Sequence, residues 1–173
     1  MNVILEIIKL TVPGLIVFAT AYYVLKQYLD NQRAMKQIEL KQNSQNTTTP
    51  LRLQAYERLS LFCERINLPS LMLRVRNNAM DAGQFKAFLL LNIQQEYEYN
   101  ITQQVYVSDQ LWEIVKISRD DSVSTISLAS EMVNNQSDST ELAQAIISIL
   151  EKRGVTAIDM ALQAIKKEAA VLF

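Results

Sequence analysis

The chain has 173 residues, with 17 lysines and arginines against 18 aspartates and glutamates, no histidine, one cysteine, three glycines and three prolines. Without histidine it lacks the commonest general base and transition-metal ligand, and one cysteine forms neither an intrachain disulfide nor a thiolate zinc site. The near-neutral charge argues against a nucleic-acid partner, and the scattered glycines form no phosphate-binding loop. We therefore expect no enzyme, no cofactor and no metal site.

The scarcity of glycine and proline predicts an almost wholly helical protein. Both residue types fall well below average usage, whereas residues that favour helix, such as Leu, Ile, Gln and Glu, are abundant. We predict an all-α fold, with a single N-terminal transmembrane helix followed by a compact soluble domain of roughly four or five helices.

The first 25 residues predict the membrane anchor. No charged side chain occurs in residues 10–25, and residues 1–25 span about 37 Å as a helix, against a hydrocarbon core of about 30 Å. A proline and a glycine favour a kink within the span, and tyrosines suit its interface. The predicted anchor residues are Leu10, Pro13, Gly14, Leu15, Phe18, Tyr22 and Tyr23.

Two alternatives to an uncleaved anchor stay open. The segment also suits a buried core helix, or a signal peptide cleaved after Ala21.

For an anchor, the flanking charges set the orientation in the membrane. The basic residues after the span are Lys26, Arg33, Lys36 and Lys41. They predict that the C-terminal domain faces the cytoplasm.

Residues 43–50 predict a linker, because they are polar and β-branched and end in Pro50. We expect an anchor and juxtamembrane helical arm over 1–42, the linker over 43–50, and a helical domain over 51–173. Residues 1–42 carry 5 basic and 3 acidic side chains, and the remainder carries 12 and 15, so the two parts have net charges of +2 and −3.

Local start and stop signals predict the helices of the C-terminal domain. Thr49 and Pro50 resemble an N-cap and a first helical residue, and Ser108 and Thr156 are further candidate N-caps. Gly154 is typical of a helix C-terminus. The sequence thus predicts helices after residue 50, from about residue 81 to 105, after Ser108, over 141–152, and over 157–171.

One helical face of the predicted helix over 81–105 carries several polar residues in register: Glu96, Asn100, Gln103 and Gln104. Polar side chains beside apolar ones line binding clefts. They also form buried hydrogen-bond networks that fix helix register, here with Arg52 or Arg58 of the preceding helix. Both interpretations stay open.

Other chemically suggestive residues have simpler interpretations. Asp120 and Asp121 suggest a metal site, but adjacent carboxylates without further ligands are typical of a solvated helix end. Cys63 lies one position from an apolar stripe and has no histidine to act as its base, which favours a core position. This stripe, on the helix predicted after residue 50, comprises Leu51, Ala55, Leu59, Phe62 and Ile66. A stacking platform for nucleic acid is suggested by Tyr97, Tyr99, Tyr106 and Trp112, but the basic groove it requires is missing.

Two runs carry a resemblance to a known family: PLRLQAYERLSLFCERINLPSLMLRV at 50–75 and EYEYNITQQVYVSDQLW at 96–112. They resemble an uncharacterised family of short, N-terminally anchored proteins from Bacteroidota. The resemblance covers most of the chain and implies a helical protein of the bacterial inner (cytoplasmic) membrane. It assigns no functional residue.

Three functional hypotheses follow. The first is a membrane-anchored interaction or scaffold protein, an accessory subunit or adaptor of an inner-membrane assembly, whose partners are membrane lipid through the N-terminal helix and a protein or a second copy. The second is a domain that binds a small molecule or lipid in a polar cleft near Glu96 and Asn100, with a hydrolase that uses carboxylates as its less favoured variant. The third is a rod resembling a peripheral stalk, which predicts one continuous helix through residue 50.

Overall fold

Helices make up nearly all of the described chain. The structure, a computed structural model, describes residues 2–75 and 79–172 and, within these, all side chains except those of residues 2–12, 38 and 40–47. The elements are α1 (Asn2–Ile66), α2 (Leu68–Val75), α3 (Ala82–Asn100), a 3₁₀ helix (Ile101–Val105), α4 (Asp109–Glu131), α5 (Ser139–Arg153) and α6 (Ala157–Ala170). No strand occurs in these residues, and the predicted all-α class is confirmed.

Helix α1 runs from Asn2 to Ile66 and includes residues 43–50, where the sequence predicted a linker. Pro50 has no amide hydrogen and therefore removes one backbone hydrogen bond, but the helix continues past it. No helix begins at Pro50, so the N-cap role predicted for Thr49 is wrong. The continuous helix expected for the rod-like alternative is present. Within this helix the chain divides into two units, Met1–Thr48 and Thr49–Phe173.

The predicted transmembrane helix is wrong, because no helix in the described part of the chain is long and apolar enough to cross a membrane. The uncharged run of residues 10–25 lies between Lys9 and Lys26 and spans about 24 Å as a helix, short of the roughly 30 Å hydrocarbon core. Lys26 and Asp30 follow it. The side chain of Leu10 lies outside the described residues.

Other predictions assumed the transmembrane helix, and they are corrected together with it. The anchor role is withdrawn for six residues on α1, because no helix in the described part of the chain has an apolar stretch sufficient to cross a membrane: Pro13, Gly14, Leu15, Phe18, Tyr22 and Tyr23. Lipid contact through the N-terminal helix and a single-pass location in the inner membrane with a cytoplasmic domain lose their basis for the same reason.

The hydrophobic core of the Thr49–Phe173 unit draws on all of its α-helices. The stripe predicted on the first of these is largely confirmed, since Ala55, Leu59, Phe62 and Ile66 are buried. Helix α4 packs against α3, α5 and α6 and so occupies the centre of the unit. Other fully buried side chains are Leu71, Phe85, Leu89, Ile93, Leu111, Ile126, Leu142, Ile146 and Ile165.

The later helices begin and end at the predicted signals. Ser108 caps α4, since its side chain accepts a hydrogen bond from the amide of Leu111 at 3.1 Å. Thr156 and Asp159 form a reciprocal capping box at the start of α6. Gly154 ends α5 with a φ of 73°, a conformation that favours glycine. These three predictions are confirmed.

Candidate functional site

Large apolar side chains are exposed on α1 within the Met1–Thr48 unit. All described side chains from Pro13 to Gln37 are exposed. The large apolar ones are Leu15, Ile16, Val17, Phe18, Tyr22, Tyr23, Val24, Leu25, Tyr28, Leu29 and Met35, with exposed fractions between 45% and 71%. A helix that is apolar on all sides is normally enclosed by other structure. This segment therefore presents an unpartnered apolar surface.

Five of these side chains form a continuous seam. Leu15, Phe18, Tyr22, Leu25 and Leu29 follow one another at spacings of 3, 4, 3 and 4 residues, which is the heptad spacing of helices that pack in coiled coils. We call these five residues the α1 seam. A groove of about 230 Å³ lies along its C-terminal half, so the seam offers a surface into which another helix can pack.

The predicted polar face does not assemble into one cleft. The carboxylate of Glu96 pairs with the Arg65 guanidinium at 2.9 Å and joins α3 to α1. Asn100 Nδ2 donates to the Glu96 carbonyl oxygen at 2.8 Å, and Gln104 is exposed. Glu96 and Asn100 therefore make structural contacts, with Arg65 rather than Arg52 or Arg58 as the partner on α1.

Arg52 instead belongs to a polar cluster that sequence reasoning missed. Its Nη2 donates to the Tyr56 hydroxyl at 2.7 Å and lies 3.6 Å from the Glu168 carboxylate. Tyr56 donates in turn to Glu168 Oε1 at 3.1 Å. Ser108 donates to the same carboxylate through its amide, at 2.9 Å, and through its hydroxyl. The cluster connects α1, the start of α4 and the end of α6.

The titration of this cluster reflects its burial and its hydrogen bonds. For Glu168, burial alone would raise the pKa, but the hydrogen bonds from Ser108 and Tyr56, together with the charge of Arg52, hold it below its ordinary value. Burial raises the pKa of Tyr56, and the neighbouring Glu168 raises it further. The structure thus favours an ionised Glu168 beside a neutral Tyr56.

Arg58 and Gln103, the other two residues of the predicted cleft, line one pocket of about 350 Å³ between α1 and the 3₁₀ helix. A larger open groove of about 500 Å³ lies between α4 and α6 and includes Ser108 and Glu168 at one end. The hydrogen-bonding capacity of Glu168 is already used by the polar cluster. The Arg58 pocket is therefore the better candidate for a ligand.

The remaining candidates take structural positions. Cys63 is fully buried, and burial raises the pKa of its thiol to about 12, so it stays protonated at neutral pH. Asp120 pairs with Arg119, and Asp121 pairs with Arg153. In the part of the chain that the structure describes, no three His, Cys, Asp or Glu residues are grouped as metal ligands would be.

Two rings of the predicted stacking platform, Tyr97 and Trp112, pack together in the domain, whereas Tyr99 and Tyr106 are exposed. Tyr97 stacks on Trp112 with 5.8 Å between ring centroids, and the Arg119 guanidinium lies 4.1 Å from the Tyr97 ring centroid. Trp112 is buried. These rings are therefore occupied by intramolecular contacts.

Comparison with known proteins gives a family match. A family model described as a family of unknown function (DUF7935) matches residues 2–172. No curated protein and no solved structure matches the chain.

Proposed function

This chain belongs to the DUF7935 family, and we propose that it is a helical interaction protein that assembles with further copies of itself through the α1 seam. The observation that supports this role is the heptad spacing of five exposed apolar side chains on one helix. We retain the scaffold role predicted from the sequence, without its membrane component. A source among Bacteroidota, which the resemblance implies, stays a prediction.

The free energy available from two facing seams is of the same order as the cost of association. Complete burial of a large apolar side chain stabilises by about 1.5–3 kcal/mol. Two facing copies contribute five such side chains each, and these are 45–71% exposed. Burial of half of that exposed surface yields roughly 5–9 kcal/mol, against a cost of association of about 4–15 kcal/mol. A pair is therefore marginal.

Four further large apolar side chains lie on α1 outside the seam and are also exposed: Ile16, Val17, Tyr23 and Val24. When Leu15 occupies heptad position a, these residues fall at positions b and c, on the outer side of a coiled coil. The seam therefore defines the face of contact between copies, and the mass measurement below gives their number.

The charges near the seam suit identical helices in a parallel arrangement. When Leu15 occupies heptad position a, Lys26 and Arg33 occupy position e. Position e of one helix faces the preceding position g of its neighbour, so Lys26 faces Ala21 and Arg33 faces the ring of Tyr28. No like charges oppose each other at these positions, which favours a second copy as the occupant of the seam.

The test is the molar mass of the full chain in detergent-free solution, measured by size-exclusion chromatography with light scattering. We expect the unaltered protein to give a discrete oligomer. The variant Leu25→Glu places a charge in the centre of the seam and should shift the protein toward the monomer by at least about tenfold in dissociation constant, because burial of an unpaired charge is costly.

The matched control is Gln27→Glu, which adds the same charge two residues away and off the seam; it should leave the mass unchanged. A monomeric full chain, or equal effects of the two variants, would refute the proposal. Flotation of monomers with neutral lipid vesicles, abolished by Leu25→Glu, would also refute it, since the seam would then contact lipid instead of protein.

A further inference from the structure

The pocket between α1 and the 3₁₀ helix has the composition of an anion site. Its volume of about 350 Å³ lies at the lower end of the range for ligand pockets. Arg58 is its one charged lining residue, and its other lining residues include Leu51, Gln54, Thr102, Gln103 and Val105. Since no carboxylate lines the pocket, its local charge is positive.

Arg58 differs from the other described arginines of the Thr49–Phe173 unit in its lack of a partner. Four of them pair with carboxylates: Arg52, Arg65, Arg119 and Arg153. Arg74 donates to a backbone carbonyl oxygen. Arg58 is exposed and has no ion pair or hydrogen bond within the described residues. Its guanidinium donors are therefore available to a ligand.

The wall of the pocket that the 3₁₀ helix forms is held in place by hydrogen bonds. Arg52 Nε donates to the carbonyl oxygen of Tyr106 at 3.2 Å, and the Tyr106 amide donates to the carbonyl oxygen of Gln103 at 3.0 Å. The Gln103 side chain is buried, and its Nε2 donates to the Thr102 hydroxyl at 3.3 Å. This wall of the pocket is thus ordered before any ligand arrives, which lowers the entropic cost of binding.

We propose that this pocket binds a carboxylate that carries an apolar group. The planar guanidinium of Arg58 matches a carboxylate in two parallel hydrogen bonds. One cation among neutral side chains suits a monoanion better than a doubly charged phosphate. Leu51 and Val105, exposed by 42% and 78%, border the pocket and provide contacts for an apolar substituent.

A carboxylate next to an apolar group occurs in two kinds of ligand, a free small acid and the C-terminal residue of a peptide. N-acetyl-leucine represents the free acid, and a tetrapeptide that ends in leucine represents the peptide. Both have amide counterparts that differ only in the loss of the negative charge. The tighter-binding acid identifies the source, and binding of either acid in preference to its amide supports the site.

The experiment is a ligand-observed NMR titration of each acid and its amide against the full chain. We expect at least one acid to bind, and its amide at least about tenfold more weakly, since a charged hydrogen-bonding partner is lost. Arg58→Gln should weaken acid binding by a similar factor. Arg58→Lys should weaken it by a smaller factor, because lysine keeps the positive charge but cannot donate two parallel hydrogen bonds to the carboxylate. Lys166→Gln removes a positive charge from an exposed position of α6 that does not line the pocket, and it should have no effect.

Three outcomes would overturn the site. They are no binding of either acid up to about 10 mM, equal binding of acid and amide, and unchanged acid binding by a folded Arg58→Gln variant. Circular dichroism checks that each variant is folded. If Arg58→Gln does not fold, the comparison of acid with amide on the unaltered protein and the Arg58→Lys titration still decide the matter. Because the oligomeric state is measured separately, failure here leaves the proposal for α1 intact.

Discussion

Glu168 connects parts of the domain that are far apart in the sequence. It accepts hydrogen bonds from Tyr56, 112 residues away, and from Ser108, 60 residues away. No local pattern predicts such a contact, because helical periodicity shows which face of a helix is buried and not which residue it meets. The same limit applies to Glu96, whose partner is Arg65 rather than the Arg52 or Arg58 expected from the sequence.

Substitution of Glu168 by glutamine should destabilise the domain by about 1–3 kcal/mol, because the buried Tyr56 and the exposed Ser108 both lose a charged acceptor. The Glu168 side chain is 20% exposed, so solvent screens the cluster only in part. Chemical denaturation monitored by circular dichroism measures the change. Glu151→Gln, on an exposed position of α5, is the control and should leave the free energy of unfolding unchanged within about 0.5 kcal/mol.

The difference in unfolding free energy between the unaltered protein and Glu168→Gln should depend on pH. The folded-state pKa of Glu168 lies below its ordinary value of 4.5, so its ionised form stabilises the fold above that pH. The contribution is lost as pH falls through the lowered folded-state pKa. The difference between unaltered protein and Glu168→Gln should therefore be constant near neutral pH and shrink in acid. A difference that grows toward acid pH would contradict this account.

At the scale of elements, the helix ends of the C-terminal half were predictable and the course of α1 was not. Caps such as Ser108 and Thr156 act within one helical turn, so their sequence signals suffice. Pro50 also carries a strong local signal, which disfavours a helix interior by about 3 kcal/mol. The helix nevertheless continues past it, and four of its next five stripe positions are buried. Tertiary packing there outweighs local preference.

The turn between α5 and α6 offers a test of backbone conformation alone. A Cβ atom built on Gly154 or on Gly14 meets no atom within 4 Å, but only Gly154 has a positive φ, of 73°. Gly154→Ala should therefore lower the free energy of unfolding by about 1–3 kcal/mol through backbone strain. Gly14→Ala lies within α1 and should not destabilise. Equal effects in thermal unfolding would show that the positive φ of Gly154 is unimportant.

At the scale of the whole molecule, the chain combines two units with different surfaces. The Thr49–Phe173 unit contains the buried core, from Ala55 to Ile165, whereas the described side chains from Pro13 to Gln37 are all exposed. Composition predicted the helical class of both units. It misassigned the first as a membrane span because a run of apolar residues looks alike whether it faces lipid or another helix.

This division predicts that residues 49–173 fold without the preceding segment and do not associate. The fragment retains the core and the Glu168 cluster, so it should unfold cooperatively with a midpoint close to that of the same unit in the full chain. It lacks the α1 seam and should be monomeric by light scattering at concentrations where the full chain forms an oligomer. A fragment that forms the same oligomer would place the contact on the C-terminal unit, and an unfolded fragment would show that the core requires residues 1–48. A folded monomer beside an associating full chain would locate the assembly surface within residues 1–48.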